Sequence, residues 1–250
     1  MIKKALLPLL ISSLFASGAA LASVDLIAIG SINGAYQDLA HNTATPLESG
    51  IAGNRLGGLG SGLAYAGGTT FIALPDRGPN AVDYGAANVD QTTSYIPRFQ
   101  TFDLSLAPNP NYPAETGALP MVLTPTLKKT TLLFSRSPLS YAAGGAPALN
   151  GHGMNYFTGH SDNFDATRPS TNPHNGRFDP EGVRVSRNGQ SVYISDEYGP
   201  YIYEFHRATG QRIRAITLPA SFAVSKLAAT GAAEISGNTS GRVANKGMEG

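Results

Sequence analysis

The chain has 250 residues, with 18 Lys and Arg against 17 Asp and Glu, 42% apolar residues and neither Cys nor Trp. A near-neutral charge argues against nucleic acid or an anionic membrane as partner, because both reward concentrated positive charge. The lack of Cys excludes disulfide staples, thiol nucleophiles and zinc–thiolate sites, so any metal must be held by oxygen or histidine.

Residues 1–22 carry the three parts of a secretory leader. Lys3 and Lys4 open it, Ala5 to Phe15 is an uncharged apolar run, and Ala20-Leu21-Ala22 supplies a small-x-small cleavage pattern. The run is too short for a spanning helix, which needs roughly 20 apolar residues. The expectation is therefore an exported chain, periplasmic or extracellular, cut after Ala22 and without a membrane anchor. Residues 23–250 then form one domain with 16 basic and 17 acidic residues, a net charge of −1. The 29 Gly and 17 Pro are scattered among β-branched and aromatic runs, the profile of short strands joined by turns.

The first strand is expected at Val24 to Ile32. Leu63 to Tyr65 and Thr69 to Leu74 flank Gly67-Gly68, a two-residue hairpin turn. Ile96 to Leu104 and Leu127 to Phe134 alternate as further strands. Ser135 to Arg177 is long, polar and rich in Gly, Pro, Asn and His, which reads as a loop lying over one face. Val183 to Val185 and Ser191 to Ser195 flank Asn188-Gly189, another hairpin signal. Tyr201 to Phe205 and Gln211 to Leu218 follow, and Ala220 to Ala229 suits a short helix.

An internal repeat organises these strands. Gly62 lies 14 residues before Asp76, and Gly182 lies 14 residues before Asp196. Both copies read as Gly, strand, turn, strand, Asp and then Gly-Pro, as in Asp76-Arg77-Gly78-Pro79 and Asp196-Glu197-Tyr198-Gly199-Pro200. A third copy begins at Asn245-Lys246-Gly247-Met248-Glu249-Gly250 and stops. Hairpins repeated with a motif at each strand end predict an all-β, β-propeller-like fold in preference to a β-sandwich. Two copies and a fragment cannot close a ring of at least about four blades. Divergent blades are therefore expected in residues 90–175, in a continuation beyond Gly250, or in both.

Five blocks bring a family to mind: Gly58-Leu59-Gly60-Ser61-Gly62-Leu63-Ala64-Tyr65, Leu74-Pro75-Asp76-Arg77-Gly78-Pro79-Asn80, Phe178-Asp179-Pro180-Glu181-Gly182, Ser195-Asp196-Glu197-Tyr198-Gly199-Pro200 and Asn245 to Gly250. They resemble the bacterial phytase-like family, whose members are often labelled "esterase-like activity of phytase" proteins. The resemblance implies an exported propeller-like protein with phosphomonoester hydrolysis, and a chain that runs past the last block. The acidic Asp-Asp-Pro-Ala-Ile-Trp type motif of β-propeller phytases is missing, so their calcium and phosphate ligands do not carry over. The Glu-Gly and Ser-Asp pairing of residues 181 to 196 is also similar to gluconolactonase-type propellers, in which such a Glu helps to hold one divalent ion.

By their own chemistry, Asp76, Glu181, Asp196, Glu197 and Glu249 sit at the ends of predicted strands, which a propeller brings together. Clustered carboxylates repel and raise one another's pKa unless a cation joins them. Oxygen ligands of this kind suit Ca²⁺ or Mg²⁺, and calcium is the expected ion, with no nucleotide or organic cofactor. Glu181, Glu249 and Arg77 are the expected catalytic residues. Arg77 and Arg98 suit a small anionic or phosphorylated substrate, and Lys246 adds positive charge. Asp76 and Asp196 serve equally well as turn formers, Asp179 before Pro180 reads as turn chemistry, and Arg77 beside Asp76 also suits a structural ion pair. Glu is a poor turn residue, so the recurrence of Glu181 and Glu249 asks for another reason.

His152, His160 and His174 fall in the long loop without the spacing of a zinc helix motif, and His41 and His206 read as surface positions. No Gly-x-Ser-x-Gly elbow is present, and the glycines from Gly57 to Gly62 lead into a strand, so they are not a nucleotide-binding turn. Three functions follow: a metal-assisted phosphoester hydrolase, a non-catalytic periplasmic propeller that binds a ligand or protein, and a lactonase- or esterase-type propeller.

Overall fold

The computed structural model of the chain describes residues 24–79, 92–141, 145–160, 172–222 and 247–248. The leader-like residues 1–22 lie outside them. Almost all the regular structure is β, as the turn-rich composition predicts.

Strand β1 (Leu59–Gly67) turns through Gly68 and Thr69 into β2 (Thr70–Pro75). Gly67 and Gly68 both take positive φ, 110° and 58°, which this tight connection needs. β3 (Arg98–Pro108) and β4 (Met121–Leu132) continue the meander into an antiparallel sheet of order β1-β2-β3-β4. Residues 98–132 therefore complete the first sheet and do not form a divergent blade of their own. Two short strands, β5 (Phe134–Ser135) and β6 (Asn155–Tyr156), pair with each other. The second sheet is again a four-stranded antiparallel meander: β7 (Pro180–Val185), β8 (Ser191–Asp196), β9 (Tyr201–His206) and β10 (Arg212–Thr217).

The two hairpins of the repeat share a detail that spacing alone does not show. Each carries a bulge near the start of its first strand, between Leu59 and Gly62 in β1 and between Pro180 and Val183 in β7. The turn at Asn188-Gly189 is longer than two residues. The Asn188 side chain closes it by accepting from the Gln190 N–H at 3.1 Å and from the Ser186 hydroxyl at 2.7 Å.

β1 and β7 lie side by side, so the sheets meet through the first strand of each repeat, as neighbouring blades of a propeller-like array do. Gly62 makes this approach possible. A Cβ there would come within 2.9 Å of the Glu181 carbonyl oxygen and of Val183 Cγ1. Between the sheets, Ala64, Ile72, Leu74 and Phe99 of the first meet Val183, Ile194, Tyr203 and Phe205 of the second in one buried cluster.

The segment 135–177 is more than a covering loop. It sends Leu139, Tyr141 and Phe157 into that cluster. Phe157 is fully buried, and its ring lies 5.2 Å from Phe178 and 5.5 Å from Tyr203. The Phe157–Phe178 pair meets edge to face, a geometry that adds about 0.5–1.5 kcal/mol beyond the area it buries. The segment also forms single parallel bridges within itself, Ser140 with Asn175 and Thr158 with Arg177, which tie its earlier parts to the stretch that leads into β7.

Two expected elements differ. Val24 to Ile32 is extended but not a sheet strand: the Ile27 carbonyl accepts from Met121 N–H at 2.9 Å, while Val24, Leu26 and Ile29 are exposed. The helix expected from Ala220 is a 3-10 turn over Ala220–Phe222, with residues 223–229 outside the described part. Among the described residues no helix is long and apolar enough to cross a membrane.

Candidate metal and anion centre

The ends of the repeat hairpins place the functional side chains. In the second repeat the register pairs Pro180 with Asp196, which brings the residues flanking β7 and β8 together. Glu197 N–H donates to the Asp179 carbonyl at 2.9 Å. The Asp196 carboxylate accepts at Oδ1 from the backbone N–H of Asp179 at 3.2 Å and of Tyr198 at 3.0 Å. Asp76, its equivalent in the first repeat, accepts from Gly78 N–H at 2.8 Å in the same two-residue turn. The repeated Asp thus ends each hairpin by satisfying backbone donors.

Between these ends lies the bulge of β7. Gly182 N–H donates to Ser195 Oγ at 2.7 Å instead of to a ladder carbonyl, and the bulge re-aims Glu181 beside it. As a result Asp179, Glu181 and Glu197 each offer a carboxylate oxygen, all within 4.8 Å of one another. Asp179 and Glu197 are buried, and Glu181 is half-buried.

The first repeat supplies the positive charge. Arg77, one residue past the Asp76 turn, donates to Asp179 from its backbone N–H at 3.1 Å and from Nη1 at 2.8 Å. Its Nη1 also lies 3.9 Å from Glu197 Oε2. Arg77 and Glu197 hold the same position in the two repeats, so one repeat contributes the cation and the other the anion. Gly159 packs against the Arg77 carbonyl, where any Cβ would collide. The Tyr198 hydroxyl donates to the Gly159 carbonyl at 3.2 Å, closing the far side of the centre.

Charge and burial compete here. Burial pushes the Asp179 carboxyl up to about 7 against the downward pull of Arg77, and Glu197 pushes it further through a shared hydrogen bond and its charge. Burial works against the Arg77 charge, but Tyr198 and Asp179 outweigh it and hold the guanidinium above its usual range. Among the described contacts, Arg77 is the guanidinium that meets Asp179 and Glu197 in this group of three carboxylates.

Asp76 lies outside this carboxylate group. It lines a separate cavity of about 370 Å³ with Arg55 and Pro79, and burial raises its pKa. Arg98 is in a different place altogether: fully buried, it donates from Nη1 to Asp38 at 2.7 Å and lies over the Tyr95 ring at 4.2 Å. Glu249 and Lys246 lie outside the described residues. Gly247 beside them donates its N–H to Glu197 Oε1 at 3.2 Å, so the start of the third copy reaches the same centre. His152, His174, His41 and His206 are exposed, and His160 is half-buried.

Asp179 is the member that sequence reasoning set aside as a turn residue. A signal was present: the first repeat has Leu59 at the equivalent position, so the second repeat adds a carboxylate that the shared turn does not need.

A family model described as "Phytase-like: Esterase-like activity of phytase" matches residues 54–250. No curated protein and no solved structure matches the chain.

Proposed function

The chain belongs to the phytase-like family, and from that membership we propose that it is an exported hydrolase of phosphomonoesters. Its centre in this reading is Arg77 with Asp179, Glu181 and Glu197. The observation that carries the reading is the convergence of three carboxylates from one repeat on an arginine from the other.

The donor set fits a hard divalent ion. It is made only of oxygens, its three carboxylates lie within 4.8 Å of one another, and the proton affinity of Asp179 is raised. Calcium or magnesium takes such ligands, with calcium as the expected ion. Asp179, Glu181 and Glu197 would hold it, and when bound it polarises a phosphoryl oxygen or lowers the pKa of water. Glu249 joins the set in this reading, supported by the Gly247 contact to Glu197. Arg77 is anchored at both its backbone N–H and Nη1, so it is held in one orientation, the condition for gripping an oxyanion through its planar fork. Asp76 and Asp196 act as turn anchors that set the direction of Arg77 and Glu197. The leader-like residues 1–22 support export.

A second reading rests on the same arginine. A double link from Arg77 to Asp179 suits a lock between two sheets, and the centre then binds an anion without turning it over. The test is hydrolysis of phytate, p-nitrophenyl phosphate, p-nitrophenyl acetate and a sugar lactone by the purified chain, in calcium and in EGTA. Phosphate release that needs calcium and is lost in Glu181→Gln supports the hydrolase. Release of the alcohol or lactone product alone moves the assignment to a carboxylic ester, and phosphate binding without any turnover supports the second reading.

A further inference from the structure

The face of the first sheet that is turned away from the second carries an apolar slot of about 430 Å³. Its floor is Leu63, Ala73, Phe102, Leu104, Leu123 and Pro125. The register puts all six side chains on one face. Leu63 pairs with Ala73, Ala73 with Gln100 and Leu104 with Pro125, while Phe102 and Leu123 stand two residues from Gln100 and Pro125. The opposite face holds Ala64, Ile72, Leu74 and Phe99, which meet the second sheet. Gly62 also points that way, onto the Glu181 carbonyl, so the slot faces away from the seam with β7.

Glycine makes the space. The chain that covers the floor on its way into β1 contributes Gly30, Gly34, Gly57 and Gly58 to the wall. Two of them allow a close approach. A Cβ on Gly30 would come within 2.8 Å of the Leu123 carbonyl oxygen, and one on Gly57 within 2.9 Å of the Gly34 carbonyl oxygen. The cover is thus held near the floor and has few side chains to fill the room beneath it. Every residue of the wall is Gly, Ala, Pro, Leu, Ile or Phe, so no side chain among the described residues offers a hydrogen bond there. Apolar surface left wet costs about 25 cal/mol per Å², which an apolar occupant recovers. The volume falls in the range of about 300–1,000 Å³ found for small-molecule sites.

Charge sets the kind of occupant. At Gly34, Gly57 and Gly58 the slot adjoins the cavity that holds Arg55 and Asp76. Asp76 Oδ1 lies 3.7 Å from where a Gly58 Cβ would stand. One charge of each sign favours neither an anion nor a cation, and the slot itself is lined by no charged side chain among the described residues. We propose that this slot binds a small uncharged apolar molecule, an aromatic ring system seated between the sheet face and the glycine-rich cover. The site is independent of the carboxylate centre and of the reaction assigned to it.

The test is fluorescence titration of the full chain with phenylnaphthylamine, an uncharged probe, and with anilinonaphthalene sulfonate, its anionic relative. Phenylnaphthylamine is expected to give saturable, blue-shifted emission and to bind at least about tenfold tighter than the sulfonate. Leu63 lines the slot and is 59% exposed, so a charge can be placed there without entering the core. Leu63→Glu, checked for folding by circular dichroism, weakens the uncharged probe at least about tenfold, and Pro125→Phe, which adds a ring on the floor, does the same. Leu106 stands two residues beyond Leu104 on the same face, 47% exposed and outside the slot. Leu106→Glu changes probe binding less than about twofold, which separates the slot from general stickiness of the face. Absence of saturable emission, tighter binding of the sulfonate, or equal weakening by Leu63→Glu and Leu106→Glu overturns the proposal. Release of the probe as the chain self-associates in light scattering also overturns it, because the slot then belongs to a second copy.

Discussion

Arg77 and Asp179 stand 102 positions apart in the chain, yet Asp179 receives both the backbone N–H and Nη1 of Arg77, at 3.1 and 2.8 Å. The link joins the end of β2 to the start of β7, so one ion pair fixes the orientation of two repeats. Glu181 and Glu197 stand beside it, each with a carboxylate oxygen within 4.8 Å of the others in the group. Structural locking and the gathering of three carboxylates come from the same geometry.

Removing the arginine exposes how far Asp179 depends on it. The Asp179 side chain has no solvent exposure, and breaking a buried pair from one side costs about 3–5 kcal/mol because the remaining charge is stranded. Arg77→Ala in EGTA is expected to lose about 3 kcal/mol in urea unfolding. The double variant Arg77→Ala with Asp179→Asn recovers part of that loss, and an equal loss in both would show that the stranded charge is not the cause.

The pH dependence has a definite sign. Asp179 binds its proton up to about 7 in the folded chain, against an ordinary value of 3.8, so between these values the folded state holds more protons than the unfolded one. The stability supplied by that proton is complete below the unfolded value and is lost as pH rises through the folded value. In EGTA, wild type is expected to lose stability relative to Asp179→Asn between about pH 4 and pH 7. The slope is at most about 1.4 kcal/mol per pH unit, the limit for one proton. A difference that grows in favour of wild type with rising pH contradicts the account.

The contact between the repeats makes its own prediction. Gly62→Ala drives a methyl to within 3.0 Å of the Glu181 carbonyl, Val183 Cγ1 and the Val183 nitrogen. Backbone there cannot yield cheaply, so a loss of about 1–3 kcal/mol is expected, the range for overpacking. Leu63→Ser, one residue away on an exposed side chain, is expected to stay within about 0.5 kcal/mol. Chemical denaturation of the two variants side by side decides it, and comparable losses would sink the idea of a tight β1 to β7 seam.

Much of this fold was legible because its signals are local. The 14-residue interval from Gly to Asp found both hairpins, and glycine chemistry placed the turn after β1. Tyr201 to Phe205 reads as a strand and folds as one. What failed depended on distant partners. Asp179 before Pro180 satisfies every local rule for a turn, and nothing near it in the chain announces Arg77. Arg98 reads as an anion ligand until its partner Asp38, 60 positions earlier, is seen to bury it. The segment 135–177 looked polar by composition, yet the run Met154-Asn155-Tyr156-Phe157 was a strand signal that the surrounding Gly and Asn concealed. Val24 to Ile32 has the alternation of a strand, but one hydrogen bond to β4 does not make a ladder.

The central claim is that Asp179, Glu181 and Glu197 hold a divalent ion on which hydrolysis depends. The most direct measurement is the rate of p-nitrophenyl phosphate hydrolysis against free calcium, in wild type and Glu181→Gln. A saturable rise from a baseline near zero is expected in wild type. In the variant, half-saturation moves to at least about tenfold higher calcium, the equivalent of about 1.4 kcal/mol. A rate that is the same in EGTA as in calcium, or a calcium curve unmoved by Glu181→Gln, contradicts it.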